Sequence, residues 1–200
     1  ATEGLRQALA AVGRDYTLNP GDGAFYGPKI DFHLKDVLGR TWQCGTIQLD
    51  FQMPEKFDMS YIGEDGEKHR PVMVHRTVFG SMERFIGILT EHFAGAFPTW
   101  MAPVQAMIIP ITSDQAQYAD ELAAKLKADG VRVEVDHRSE KMGYKIREAT
   151  VQKTPYMLVV GGKEAENGTV SLRSYKNGDE GVKSFDEFHA AIIDEIQNRK

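Results

Sequence analysis

The sequence predicts two folded parts: an α+β antiparallel layer over residues 1–103, and a small three-layer α/β domain with a mixed sheet over residues 104–200. Three observations carry this prediction. Half-buried strands with strict alternation flank tight turns in the first half. One long apolar-periodic stretch, 77–94, follows them and carries glycines within its helical pattern. After AFPTWMAP (96–103), with its two prolines, the pattern changes to continuous apolar strands alternating with capped helices in the order βαβαββα.

Residues 2–13 read as a helix with Leu5, Ala8, Leu9 and Val12 as its buried stripe and Gly13 at its C-terminal stop. NPGDG (19–23) is a turn cluster. In the strand that follows, Ile30, Phe32 and Leu34 share one face and Asp31, His33 and Lys35 the other. DVLGR closes a hairpin, and TWQCGTIQLDF returns with Trp42, Cys44, Thr46 and Gln48 expected on one face, either a pocket floor or an exposed sheet surface. Short strands are expected at 60–62 and 72–75. In the 77–94 helix, Val78, Met82, Phe85, Leu89 and Phe93 form an apolar face, while Gly80, Ser81, Arg84, Gly87 and Ile88 fall together opposite. Two glycines inside a helix cost about 1 kcal/mol each relative to alanine, which is understandable if an anion approaches Arg84 there. Helix-on-helix packing beside a solvated arginine is the other reading.

In the second half VQAMIIP, VRVEVD, PYMLVVGG and TVSLRSY read as strands, with AENG as a turn between the last two. The helix of SDQAQYADELAAKLKADG should be capped by Ser113 or Asp114 and ended by Gly130. The final helix opens with the capping box Ser184–Glu187. Residues 137–153 carry five Lys/Arg against two Glu, with Lys141 and Lys145 on one stripe and Arg138 and Arg147 nearby; this is a solvated helix face or a phosphate-contacting one.

Composition narrows the function classes. The chain has 200 residues, 24 basic and 29 acidic, a net charge of −5, and 42% hydrophobic residues, which is ordinary for a globular protein. Nucleic-acid binding would therefore need a local patch. No apolar run is long enough to span a bilayer, and a single cysteine, Cys44, fits a reducing cytoplasm. The start at Ala1, without a signal peptide or a leading strand, gives the expectation of a C-terminal part of a longer protein. No GxGxxG or GxxxxGK[ST] loop follows the first strand of the second half, where ITSDQ stands instead. His75 ends a strand just before the long helix, as a hydrogen-bonded histidine or as a metal ligand whose partners lie elsewhere; HxH, HExxH and CxxC spacings are absent. Tyr26 and Lys29 flank a Gly-Pro corner, where Lys29 is either an anion holder or a solvated lysine.

The blocks AFYGPKIDF (24–32), RTWQCGTIQLDF (40–51), YIGEDGEKHRPVMVHR (61–76), GSMERFIGILTEHFAG (80–95), FPTWMAPVQ (97–105) and KIRE (145–148) carry a resemblance. Over essentially its whole length the chain resembles the C-terminal part of the threonyl-tRNA synthetases, class II enzymes that ligate threonine to tRNA. The resemblance implies the end of a class II catalytic domain, including motif 3, in residues 1–103 and an anticodon-binding domain in 104–200. It implies ATP with Mg, L-threonine and threonine tRNA as ligands, a threonyl-adenylate intermediate, a cytoplasmic location, and a homodimer for the full-length protein. His75 matches the family's third zinc ligand, with a Cys and a His expected before residue 1. Tyr26 and Lys29 match positions near the substrate and its phosphate; Gln43, Cys44, Thr46 and Gln48 match pocket positions. Arg84 matches the motif 3 arginine that holds ATP, with Ser81 beside it, while Arg147, Glu164 and Arg173 match anticodon contacts. Ser139 departs from the longer polar residue of some relatives, so no contact is carried onto it. Motifs 1 and 2 are not in the chain, which by itself is therefore expected to be inactive. The alternatives are a non-catalytic tRNA- or RNA-binding module built from synthetase parts, and a generic α/β ligand-binding protein.

Overall fold

The structure, a computed structural model, describes residues 1–200 as two compact units, Ala1–His92 and Phe93–Lys200. In chain order the first unit contains α1 (Thr2–Val12), β1 (Lys29–Lys35), β2 (Thr41–Asp50), α2 (Gln52–Lys56), β3 (Tyr61–Ile62), β4 (Lys68–His69), β5 (Met73–Thr77) and α3 (Met82–His92). The second contains β6 (Ala106–Pro110), α4 (Ala116–Ala128), β7 (Val133–Val135), α5 (Met142–Val151), β8 (Tyr156–Val160), α6 (Gly162–Asn167), β9 (Thr169–Ser174), β10 (Gly178–Ser184) and α7 (Phe185–Gln197).

The first unit is built on an antiparallel sheet of order β1-β2-β5, and β3 and β4 form a separate hairpin. The β1–β2 turn is held by Asp36, whose carboxylate accepts from the backbone N–H groups of Leu38 and Arg40, from the Arg40 guanidinium and from the Trp42 indole. Burial opposes that charge, but the indole, the guanidinium and the two N–H groups outweigh it and hold the carboxyl down at about 2. Gly13 ends α1 at φ 64, as expected, yet of the expected buried stripe only Leu5 is buried and Val12 is 69% exposed.

Two expectations for this unit are corrected. The long helix begins at Met82, not at 77, because β5 runs on to Thr77 and Gly80 turns the chain at φ 69. Gly80 is thus outside the helix. Its role is close approach: a Cβ there would lie 2.7 Å from the Cys44 carbonyl oxygen. The apolar face is only partly covered, with Phe85, Ile88 and Leu89 half-buried and Met82 and Ile86 both 53% exposed, so Ile88 is not on a cleared face opposite Phe85. The second correction concerns β2. Phe32 pairs with Gly45 but His33 with Gln43, so Cys44 is an inserted bulge residue. The shift turns Gln43 onto the face of Thr46 and Gln48 and sends Trp42 to the other face, with Leu34.

The second unit has a five-stranded mixed sheet of order β10-β9-β8-β6-β7, parallel at β7-β6-β8 and antiparallel beyond. The core is in two layers. Ile108, Leu158, Val170 and Leu172 meet Leu122 and Leu126 of α4 and Phe188 and Ile192 of α7. On the other side Ile109, Met157 and Val159 meet Ala149 and Ile146 of α5. The segment before the expected boundary at 103 packs with this unit: Thr99 donates to Glu195, and the fully buried Gln105 amide links the Thr99 carbonyl to the Arg132 N–H.

The order βαβαββα holds apart from two additions. GDEGVKS forms the edge strand β10, which its glycines and charges disguise, with a register shift between Asp179 and Gly181. AENG lies in the short helix α6, which ends at Gly168 with φ 65. The start of α4 is prefaced by a 3-10 turn, Ser113–Gln115, whose N-cap position is Thr112, not Ser113 or Asp114; the Gln115 side-chain oxygen reaches back to accept from the Thr112 N–H and hydroxyl. Ser184 caps α7 as expected, accepting from the Glu187 N–H. The basic stripe is partly consumed internally. Lys145 is 4% exposed and donates to the carbonyl of Asp136, and Arg138 pairs with Asp136 and Glu148.

Two stability tests follow, read by Trp42 fluorescence in a Trp100→Phe background. Gly80→Ala should cost more than about 1 kcal/mol in urea unfolding, since the left-handed φ and the Cys44 carbonyl both oppose a methyl; an unchanged midpoint contradicts this. Asp36→Asn should destabilise the unit at pH 6. Because the folded carboxyl is depressed, the difference from the parent should shrink as pH falls from 3.8 towards about 2, and a difference independent of pH contradicts the assignment.

Candidate functional site

The sheet of the first unit gathers polar side chains on one face. The corner that leads into β1 is seated on β2 at Gly27, where a Cβ would collide with the Leu49 carbonyl oxygen. An isolated bridge between Ala24 and Gly27 tightens the corner. This places Tyr26 above β2, where its hydroxyl donates to Gln48 Oε1 at 2.6 Å and its ring lies 5.1 Å from the His75 ring. Lys29 starts β1 on the same face, opposite Gln48, and β5 brings His75 to the other side of Gln48.

Asp31 is the hub. Its carboxylate pairs with Lys29 Nζ at 2.7 Å and accepts from Gln43 Nε2 at 2.7 Å and from Thr46 Oγ1 at 2.8 Å. Gln43 Nε2 also donates to Thr46 Oγ1 at 3.0 Å. Burial opposes the Asp31 charge, yet Lys29 and Thr46 hold its carboxyl below the usual carboxylate range. In return the Asp31 hydrogen bond holds the Lys29 ammonium above its ordinary value against desolvation, and Asp22, 3.5 Å away, adds to it.

At the end of the face His75 Nε2 is 2.8 Å from Asp50 Oδ2. Asp50 is fully buried at the start of α2, where its other oxygen accepts from the Gln52 and Met53 N–H groups. Burial opposes this charge too; the Met53 N–H and His75 nevertheless lower its pKa. With Nε2 engaged, Nδ1 is the nitrogen of His75 left for a further partner. No group of three or more His, Cys, Asp or Glu side chains is arranged to hold a metal ion.

The expected residues divide as follows. Tyr26, Lys29, Gln43, Thr46, Gln48 and His75 share the polar face. Cys44, as the bulge residue, is 4% exposed rather than an open lining surface. Arg84 lies at the rim: its guanidinium is 5.8 Å from the Trp42 ring and donates to the Gln43 carbonyl at 3.1 Å. Ser81 accepts from the Arg84 N–H and donates to Glu83, so its hydroxyl caps α3. Arg147 is exposed on α5. Glu164 caps α6 by accepting from the Gly161 N–H, and Arg173 on β9 pairs with Asp179 while its Nε is buried without a partner. No hydrogen bond or ion pair joins these last three.

Sequence reasoning missed Asp31 and Asp50. Asp31 was already on the polar stripe of β1, but its pull on Gln43 depends on the bulge, which has no local signature. Asp50 lies at the β2–α2 junction in LDFQMP, and nothing in that string points to His75.

Comparison with known proteins gives the context. The family model described as tRNA synthetase class II core domain (G, H, P, S and T) matches residues 4–93, and the model described as anticodon binding domain matches residues 105–195. The chain is 64% identical over 199 residues to the threonine–tRNA ligases of Clostridium botulinum and Clostridium tetani, covering 100% of itself and 31% of each relative. It thus spans about a third of the length of the curated relatives it matches. Among solved structures, the RNA binding domain of threonyl-tRNA synthetase from Cryptosporidium parvum Iowa II aligns with a TM-score of 0.84 and 40% identity, over 95% of this chain and 48% of that one. Prolyl-tRNA synthetase from Cryptosporidium parvum, complexed with L-proline and AMP, aligns with a TM-score of 0.66 and 26% identity, over 92% and 42%. With identity running the length of the chain and the two domain types in order, the chain belongs to the threonine–tRNA ligase family of class II synthetases, as part of the core domain joined to an anticodon-binding domain.

Proposed function

We propose that this chain forms part of the active site and the anticodon-reading domain of an enzyme that ligates L-threonine to its tRNA through threonyl-adenylate. The observation that carries the reading is the polar sheet face, where Tyr26, Lys29, Gln43, Thr46, Gln48 and His75 converge. In this reaction a threonine carboxylate oxygen attacks the α-phosphorus of ATP and pyrophosphate leaves. A tRNA 3′-terminal hydroxyl then attacks the carbonyl of the adenylate and AMP leaves.

On this reading the division of labour runs at residue 103. Residues 1–103 bind and orient the small substrates, and residues 104–200 read the anticodon. Lys29, whose side chain is 19% exposed, and the exposed Arg84 hold phosphate charge, which favours the transition state through positioned cations. Ser81 supports Arg84 by fixing the start of α3. Tyr26, Gln43, Cys44, Thr46 and Gln48 shape the amino-acid pocket. His75 supplies one zinc ligand, its orientation fixed by Asp50 as outer-shell carboxylates fix metal-bound histidines; the other ligands come from outside these 200 residues. Bound zinc would act as a Lewis acid towards the amino group and hydroxyl of threonine, which an isosteric methyl cannot match. Mg accompanies ATP. Arg147, Glu164 and Arg173 meet unpaired anticodon bases, whose edges suit arginine and carboxylate partners. The full-length protein is a cytoplasmic homodimer on this reading; no helix here is long and apolar enough to cross a membrane.

Three measurements test the proposal. A chimera carrying this chain in place of the matching segment of the Clostridium botulinum relative should catalyse threonine-dependent ATP–pyrophosphate exchange, while the 200-residue chain alone should not; a folded but inactive chimera, or an active isolated chain, contradicts the reading. In the chimera Arg84→Ala should lower the exchange rate by about 100-fold or more, the scale of one lost charge-stabilising donor, and an unchanged rate removes Arg84 from the nucleotide site. Filter binding of threonine tRNA to the chain should weaken roughly 10-fold with Arg173→Ala or Glu164→Ala, the scale of one base-edge contact. Unchanged binding with both sinks the anticodon assignment.

A further inference from the structure

We propose that Asp31 is the positioning residue of the polar face, fixing the Gln43 amide so that it presents its oxygen, a hydrogen-bond acceptor, to the ligand. This rests on the reading above and specifies what the site recognises there: an ammonium or hydroxyl donor. An ionised Asp only accepts, so the end of the Gln43 side chain that meets Asp31 at 2.7 Å must be Nε2. Nε2 has two protons. One goes to Asp31 Oδ1 and the other to Thr46 Oγ1, whose own proton returns to Asp31 Oδ1. The three form a closed ring in which Gln43 donates twice, Thr46 accepts once and donates once, and Asp31 accepts twice, so the amide cannot flip without setting Oε1 against a carboxylate. Oε1 is thereby the free end of the amide on an exposed residue.

The same carboxylate uses its other oxygen to hold Lys29. Of the three ammonium protons, one faces Asp31 and one Asp22, leaving one for an anion. The Asp31 side chain is 10% exposed and the Lys29 side chain 19%, so water competes weakly for either. Asp31 therefore sets an acceptor and a cationic donor at fixed positions on one face. That pairing complements a ligand bearing an ammonium or hydroxyl group together with an anionic group.

The test uses the chimera, with threonine as the probe. Asp31→Asn can donate as well as accept, so it releases the Gln43 amide; the KM for threonine should rise roughly 10- to 100-fold, the worth of a charge-assisted hydrogen bond, with a smaller change in kcat. Gln43→Glu sets two carboxylates together and should be similarly impaired. The double variant Asp31→Asn/Gln43→Glu restores one donor–acceptor pair and one negative charge, and it should recover most of the loss. A KM unaffected by Asp31→Asn, or a double variant no better than the sum of the single ones, overturns the proposal.

A readout independent of activity is the side-chain amide exchange of Gln43 in the 200-residue chain. Its protons should exchange more slowly than those of the exposed Gln152, and Asp31→Ala should abolish the difference; equal exchange in the parent chain overturns the proposal. If the unsubstituted chimera makes no threonyl-tRNA, the functional reading fails, and the exchange measurement alone decides the role of Asp31.

Discussion

One inserted residue in β2 sets what the first unit can present to a ligand. Without the bulge at Cys44, the side-chain alternation of an antiparallel pair would keep Trp42 beside Thr46 and Gln48 and send Gln43 to the opposite face. With it, Gln43 joins Thr46 under the carboxylate of Asp31, and Trp42 goes below to meet Asp36 and Arg84. The bulge is pinned from the neighbouring segment. Gly80 turns at φ 69 against the Cys44 carbonyl, and the open carbonyl of Gln43 receives the Arg84 guanidinium. The polar face and the arginine at its rim are thus two consequences of one local irregularity, and a substitution at Gly80 would disturb both.

Charge on this face is balanced locally. Lys29 is matched by Asp31 and Asp22, and the Asp50 carboxylate lies within hydrogen-bond distance of His75 Nε2. Unpaired buried charges are costly, and paired ones persist when their remaining hydrogen-bonding capacity is filled, as Asp50 fills its own with two backbone N–H groups. The second unit uses the same economy for another purpose. Lys145 donates to the Asp136 carbonyl and Arg138 pairs with the Asp136 carboxylate at the carboxyl ends of parallel strands, whereas Arg147 is an exposed cation on α5.

Much of this was legible in the sequence because it depends on period and punctuation. The alternation of β1, the apolar strands of the mixed sheet, the Gly13 stop and the Ser184 cap each follow from residue type at fixed spacing. What was not legible depends on partners far away in the chain. Nothing local distinguishes a bulge at Cys44 from continuous pairing, and Gly80 reads equally as a helix residue or a turn. GDEGVKS looks like a loop because its glycines and charges have poor strand propensity, yet at an edge Asp179 is exposed, Glu180 and Lys183 pair with each other, and one neighbour, β9, is enough to pair the strand. Tyr26, Lys29, Thr46, Gln48 and His75 could be singled out from residue type and position and Gln43 through the resemblance, whereas Asp31 and Asp50, which bond to Lys29, Gln43, Thr46 and His75, became visible only with the register of three strands.

The bulge, and not simple alternation, decides which face Gln43 occupies. The most direct test is an isotope-edited NMR measurement of nuclear Overhauser contacts from the Gln43 side-chain amide in the 200-residue chain. Contacts to the Thr46 methyl and the Asp31 methylene protons, with the Trp42 indole instead contacting Leu34 and the Arg84 side chain, are the predicted result. Gln43 amide contacts to Phe32 or Leu34, with Trp42 beside Thr46, would contradict it.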